Sequence, residues 1–106
     1  MVKKKTCVFI SGNGSNLKNL ISNSRRSNFP IKISLVISNN KKAYGINYAK
    51  KNKIPYIFIN TKLQSYENKI FLNLKKYGIS FICLAGYMKI ISTKLIRDYR
   101  KKIINI

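Results

Sequence analysis

Short runs of apolar, largely β-branched residues alternate along this chain with stretches of helical periodicity, and that alternation leaves few folds open. Thr6–Ile10 reads as a first strand, and Ser15 to about Arg26 as a helix with Leu17, Leu20 and Ile21 on one face. Ser15 is placed to cap that helix. Ile31–Ile37, after Pro30, is a second strand closed by the turn chemistry of Ser38-Asn39-Asn40. Lys42–Asn52 is a weaker helix carried by Ala43, Ile46 and Ala49, with Gly45 counting against it. Tyr56–Ile59 follows Pro55 as a third strand. Ser65–Tyr77 carries Tyr66, Ile70, Phe71 and Leu74 at helical spacing, and Gly78 suits its end. Ser80–Leu84 is almost continuously hydrophobic, as a strand covered on both faces should be. Ser92–Tyr99 is a short helix with Leu95, Ile96 and Tyr99 inward, and Ile103–Ile106 begins a fifth strand. Right-handed crossovers then give an α/β fold: one domain built on an open, mostly parallel, Rossmann-like sheet with helices on both faces.

In such sheets the bend from first strand to first helix is a natural anion site. Here it is Ser11-Gly12-Asn13-Gly14-Ser15-Asn16. Glycines let backbone N–H groups approach a phosphate, and the helix N-terminus favours negative charge. A tight turn that binds nothing is the competing reading. Dinucleotide binding is disfavoured: Leu17 stands where a third glycine would fall, and Ile37-Ser38-Asn39-Asn40 offers no acid for a ribose.

The 106 residues carry 22 Lys and Arg against Glu67 and Asp98, a net charge of +20. The cations are scattered from Lys3 to Lys102 rather than gathered into a stripe or tail. The chain also holds 18 Ile and 13 Asn, and an AT-rich coding sequence produces Lys, Ile and Asn together. Compositional bias is therefore preferred to nucleic-acid binding as the origin of the charge, although the field attracts anionic substrates either way. Cys7 and Cys83 lie in apolar runs without partners at metal-ligand spacing, so free buried thiols are expected and no metal. The apolar stretch behind Met1–Lys5 ends at Ile10, too short for a signal peptide, and no window approaches a membrane span. A soluble, cytoplasmic protein without a membrane partner is expected.

Two further segments carry candidate chemistry. Ala85-Gly86-Tyr87-Met88-Lys89-Ile90-Ile91 follows the fourth strand; it is either a packed turn or an apolar wall for a flat ligand. Asn105, near the end of the fifth strand, is either a turn residue or an amide able to donate to a developing oxyanion. Acid–base resources are poor. The chain has no His, and Glu67 and Asp98 fall in helical, solvated stretches, so no nucleophile–base pair can be assembled.

Taken in order, four motifs resemble the phosphoribosylglycinamide formyltransferase (glycinamide ribonucleotide transformylase) family, in its N-terminal half. They are Val8-Phe9-Ile10-Ser11-Gly12-Asn13-Gly14-Ser15-Asn16-Leu17, Val36-Ile37-Ser38-Asn39, Leu84-Ala85-Gly86-Tyr87-Met88-Lys89-Ile90-Ile91 and Ile104-Asn105-Ile106. The resemblance implies transfer of a formyl group from 10-formyltetrahydrofolate, a cosubstrate, to the amine of 5-phosphoribosylglycinamide in purine biosynthesis. It implies that Gly14, Ser15 and Asn16 hold the substrate phosphate, that Met88, Lys89, Ile90 and Ile91 line the pterin pocket, and that Asn105 is catalytic. Lys89 stands where relatives commonly have Arg, and a folate-side Arg expected near residues 60–65 has no clear match, Lys62 lying nearby. Family members continue past Ile-Asn-Ile into His-Pro-Ser and supply a later Asp. Residues 1–106 are therefore expected to be an N-terminal formyltransferase domain cut before the catalytic His and Asp, and inactive alone. Partners are expected to be the two small molecules.

Overall fold

The computed structural model describes residues 2–106. Nine elements follow in the expected alternation: β1 (Lys4–Ile10), α1 (Ser15–Ser24), β2 (Ile31–Ser38), α2 (Gly45–Lys51), β3 (Tyr56–Phe58), α3 (Tyr66–Lys76), β4 (Phe81–Leu84), α4 (Thr93–Asp98) and β5 (Ile103–Asn105). The strands form one five-stranded sheet in the order β3-β2-β1-β4-β5, with every pairing parallel. β1 is central, and Thr6 to Ile10 are wholly buried along it.

Two apolar layers sandwich the sheet, and the side-chain alternation of β1 divides them. Val8 and Ile10 pack with Leu17 and Ile21 of α1 and Ala49 of α2. Cys7 and Phe9 face the other way, onto Ile70 and Leu74 of α3 and Leu95 of α4. In β2 the alternation is broken. The register against β1 shifts between Thr6, opposite Ile33, and Cys7, opposite Leu35. This bulge leaves Ser34 over, so Ile31 and Ile33 share the α1 layer with Val36, whereas Leu35 and Ile37 join the α3 layer. A strict period of two would have put Ile31, Ile33, Leu35 and Ile37 on one face.

The chain runs from β1 outward to β3 and then crosses back to start β4 on the other side of β1. The loops after β1 and β4 therefore leave the sheet toward opposite faces, and a crevice opens between them. Helix ends follow local chemistry. Gly78 sits at φ +62 just beyond α3, with Ile79 N–H bonded to Leu74 O at 2.9 Å, the arrangement glycine favours there. At the start of α4 the Ser92 hydroxyl accepts from Leu95 N–H at 3.1 Å.

Several expectations need correction. Ser15 does not cap α1; Gly14 holds the cap position at φ +79, and Ser15 is the first helical residue. Ser15 N–H donates instead to the Asn13 side-chain oxygen at 3.1 Å. α2 starts at Gly45 rather than Lys42, leaving buried Ala43 in the preceding turn. Ile96 is 52% exposed, because the six-residue α4 turns only Leu95 and half-buried Tyr99 inward.

Gly45 counted against its helix by propensity, yet its place explains it. A Cβ there would stand 2.7 Å from Ile10 Cδ1 and 3.1 Å from Gly14 Cα. A Cβ on Gly14 would stand 2.5 Å from Gly45 Cα and would also hold a left-handed backbone. Gly14→Ala and Gly45→Ala should each cost about 2 kcal/mol or more of folding stability. Urea unfolding of both variants beside the parent checks this, with Gly12→Ala, where a Cβ meets open space, as the near-neutral comparison.

Candidate active site at the carboxyl end of the sheet

A cavity of about 280 Å³ occupies the crevice between the β1 and β4 loops. The whole bend from Ser11 to Asn16 lines one side, and Ala85, Gly86 and Met88 line the other. Gly14, Ser15, Asn16 and Met88, assigned separately from sequence, therefore face one space. Gly45 N–H donates to Gly12 O at 3.1 Å, tying the bend to the start of α2. The α1 ladder begins with Lys18 N–H on Gly14 O at 2.8 Å, so the N–H groups of Asn16 and Leu17 precede it. No Lys or Arg lines this cavity. An anion seated there meets backbone donors, the positive end of α1 and neutral polar side chains.

Ser11 is the residue that sequence reasoning undervalued. Its hydroxyl donates to Asn39 Oδ1 at 2.6 Å and accepts from Met88 N–H at 2.7 Å. Its carbonyl accepts from Asn40 Nδ2 at 3.1 Å. One buried serine thus joins the ends of β1, β2 and β4 around the cavity. The signal was present in Ser38-Asn39-Asn40, read only as turn chemistry. Ser38 does make that turn, through its hydroxyl to Asn40 O at 2.8 Å, while Asn39 and Asn40 reach across to Ser11.

The segment after β4 divides. Met88 is 82% and Ile90 90% exposed. Lys89 Nζ lies 5.4 Å from the Tyr66 ring centre. Ile90 and Ile91 border a second, nearly closed gap of about 10 Å³ against α3. Beneath them the Tyr87 ring packs edge-on against Phe9, with centroids 5.2 Å apart. Glu67 borders the same gap and is half-buried rather than solvated, accepting from the Ser92 hydroxyl at 3.0 Å. Asp98, by contrast, is exposed, as expected. Asn105 is opposite Leu84 in the β4–β5 register and exposed; it stands on the same edge of the sheet without lining the cavity.

Under the site, burial pushes both thiols up: Cys7 well above its usual range and Cys83 to about 11. Burial likewise pushes the Tyr87 phenol up to about 12. Both cysteines are unpaired.

The sequence profile described as formyl transferase matches residues 4–106. The chain belongs to the formyl transferase family. It is 37% identical over 109 residues to phosphoribosylglycinamide formyltransferase of Haemophilus influenzae, covering 97% of the chain and 50% of that protein. It is 37% identical over 108 residues to the human trifunctional purine biosynthetic protein adenosine-3, covering 98% of the chain and 11% of that protein. Among solved structures, phosphoribosylglycinamide formyltransferase from Brucella melitensis superposes with a TM-score of 0.93 at 31% identity, covering 98% of the chain and 56% of that structure. The chain thus spans about half the length of these two phosphoribosylglycinamide formyltransferases. Among the described residues no helix is long and apolar enough to cross a membrane.

Two outcomes follow from the geometry. Ser11→Ala leaves Met88 N–H without its acceptor and Asn39 Oδ1 without its donor, and should cost about 1–3 kcal/mol, read by urea unfolding. Cys83 stays protonated in the fold up to about 11, whereas an unfolded thiol ionises near 9.0. The stability that Cys83 contributes is therefore complete below pH 9.0 and is lost as pH rises toward 11. The difference in urea midpoint between the parent and Cys83→Ala should shrink over that interval, a comparison in which the titration of the lysines cancels.

Proposed function

We propose that this chain carries the substrate-binding half of a folate-dependent formyltransferase acting on 5-phosphoribosylglycinamide. The observation that carries the reading is the cavity shared by the Gly12–Asn16 bend and the Met88 turn, at the switch point of a formyl transferase sheet. The phosphate sits at the bend, against the donors of Gly14, Ser15 and Asn16 and the positive end of α1. The amine of the substrate then extends toward the β4 and β5 ends. The formyl donor, 10-formyltetrahydrofolate, lies along Met88, Lys89, Ile90 and Ile91. Met88 N–H is already engaged by Ser11, so the polar edge of the pterin is left the remaining backbone groups of that segment. Exposed Ile90 offers its ring an apolar surface.

In the transfer, the amine nitrogen attacks the formyl carbon and charge develops on the formyl oxygen. Collapse of that intermediate breaks the bond from the formyl carbon to the folate nitrogen that carried it; the amine nitrogen gives up a proton, and tetrahydrofolate leaves with a proton on that folate nitrogen. Asn105 supplies a neutral N–H donor for that oxyanion. Proton movement needs a group that these residues do not provide, since the chain has no His and Glu67 is bonded to Ser92. Residues 1–106 alone therefore bind substrate and turn it over very slowly. Two buried, unpaired thiols fit a reducing, cytoplasmic setting.

Calorimetry with glycinamide ribonucleotide tests the binding half: affinity in the micromolar range is expected. Ser15→Glu, which sets a like charge against the phosphate, should weaken it by about tenfold or more. A formyl-transfer assay tests the other half, with turnover about a thousandth or less of a full-length relative's expected. Turnover comparable to that relative's would overturn the claim of inactivity, and no ribonucleotide binding would overturn the site itself.

A further inference from the structure

A concavity larger than that of the candidate active site lies at the opposite end of the strands. A groove of about 490 Å³ runs under the amino ends of β1 and β2. Four cationic side chains from separate segments line it: Lys5 of β1, Arg25 just past α1, Lys32 of β2 and Lys53 in the turn after α2. No carboxylate lines it. The chain's two, Glu67 and Asp98, are on α3 and α4, where Glu67 is bonded to Ser92 and Asp98 lies 3.9 Å from Arg97. Neither of these two carboxylates brings negative charge to the groove.

One feature separates the groove from lysines scattered by composition, and a second adds to it. Lys5 and Lys32 stand directly opposite each other in the β1–β2 register, and like charges so placed on neighbouring strands repel. Lys53 holds a left-handed backbone at φ +58, in the position after a helix that glycine ordinarily fills; Lys101 does the same at φ +62 after α4, but only Lys53 lines the groove. There Ile54 N–H bonds Ala49 O at 2.9 Å, the pattern seen again at Gly78, where the chain does use glycine. Both placements cost stability that a neutral residue or a glycine would spare, and both aim charge at one concave surface. Such a surface focuses the field of its cations. Ile54 and Tyr77 add an apolar border.

We propose that this groove binds a short chain of phosphates, free or carried by a nucleoside. The proposal stands apart from the formyl-transfer reading, which concerns the other end of the strands. Calorimetry on the 106-residue chain at about 0.15 M salt, with inorganic tripolyphosphate and separately with ATP, tests it. One saturable site per chain is expected. The pair Lys5→Gln with Lys32→Gln should weaken binding by about tenfold or more. Lys53→Gly should weaken it while raising the melting temperature, which a purely structural lysine would not do. The pair Lys69→Gln with Lys94→Gln removes the same charge from exposed positions elsewhere and should change affinity by less than about twofold. Equal affinity for the two ligands supports a free phosphate chain, and tighter ATP binding supports a nucleotide.

An equal loss in the Lys69/Lys94 pair would assign binding to net charge and overturn the site. So would the absence of saturation, or a loss on Ser15→Glu with the groove variants unaffected. Tighter binding of an RNA oligomer, weakened by the same groove variants, would overturn it in favour of nucleic acid. Glycinamide ribonucleotide affinity should be the same in all groove variants, which keeps this test separate from that of the active site.

Discussion

Two stretches of backbone meet at Gly14 and Gly45 with no side chain between them, and the carboxyl end of the sheet is arranged around that approach. Gly14 turns left-handed, so the chain leaving β1 can enter α1 with its first N–H groups over the crevice. Gly45 lets α2 begin against the same bend and donate to Gly12 O. Ser11, one residue before the bend, then ties in the β2 and β4 loops through its hydroxyl and carbonyl. The crevice keeps its shape because backbone and one buried hydroxyl hold it, rather than mobile charged side chains.

Much of this was legible in the sequence, and the places where it was not share a cause. The alternation of apolar runs with helical periods gave each of the nine elements, because each run has to cover one face of a sheet or a helix. The bend at Gly12–Asn16 was legible because its two glycines interrupt a strand-to-helix passage. What stayed hidden depends on contacts between segments far apart in the chain. Gly45 reads as a flaw in a helix until Gly14 stands beside it. Ser11 reads as a turn residue until Met88 N–H reaches it from 77 residues away. The β2 bulge at Ser34 has no local signature, since Ile31, Ile33, Leu35 and Ile37 suit an unbroken alternation equally well. Glu67 reads as solvated until Ser92, its hydrogen-bond donor from 25 residues later, stands beside it. In the site, the bend and Met88 were legible as one cavity only through the β1–β4 adjacency, which strand order sets and periodicity does not.

The charge of +20 is compatible with this fold because hardly any of it is buried. The buried set holds no Lys or Arg, and its polar members, Thr6, Ser11, Ser24 and Ser38, are all hydroxyl residues. Lysines lie instead over aromatic rings, as Lys94 does 4.6 Å from the centre of Phe71, with their stems covering apolar surface and their heads in water. A coding bias toward lysine is tolerable in an α/β sandwich whose core is drawn from Ile, Val, Leu and Phe.

On the two proposals, the ends of the strands would meet anions by different physics. At the carboxyl end the cavity lining has no cation, so the phosphate proposed there would be held by N–H groups and the end of α1, at short range and under little influence from salt. The distant cations still matter there, because their summed field raises the local concentration of a dianion before it docks, an effect that fades within a Debye length. At the amino end the cations themselves line the groove, and attraction and recognition are the same interaction. Affinity at the carboxyl end should therefore survive added salt better than the rate of arrival does, whereas at the amino end both decline together.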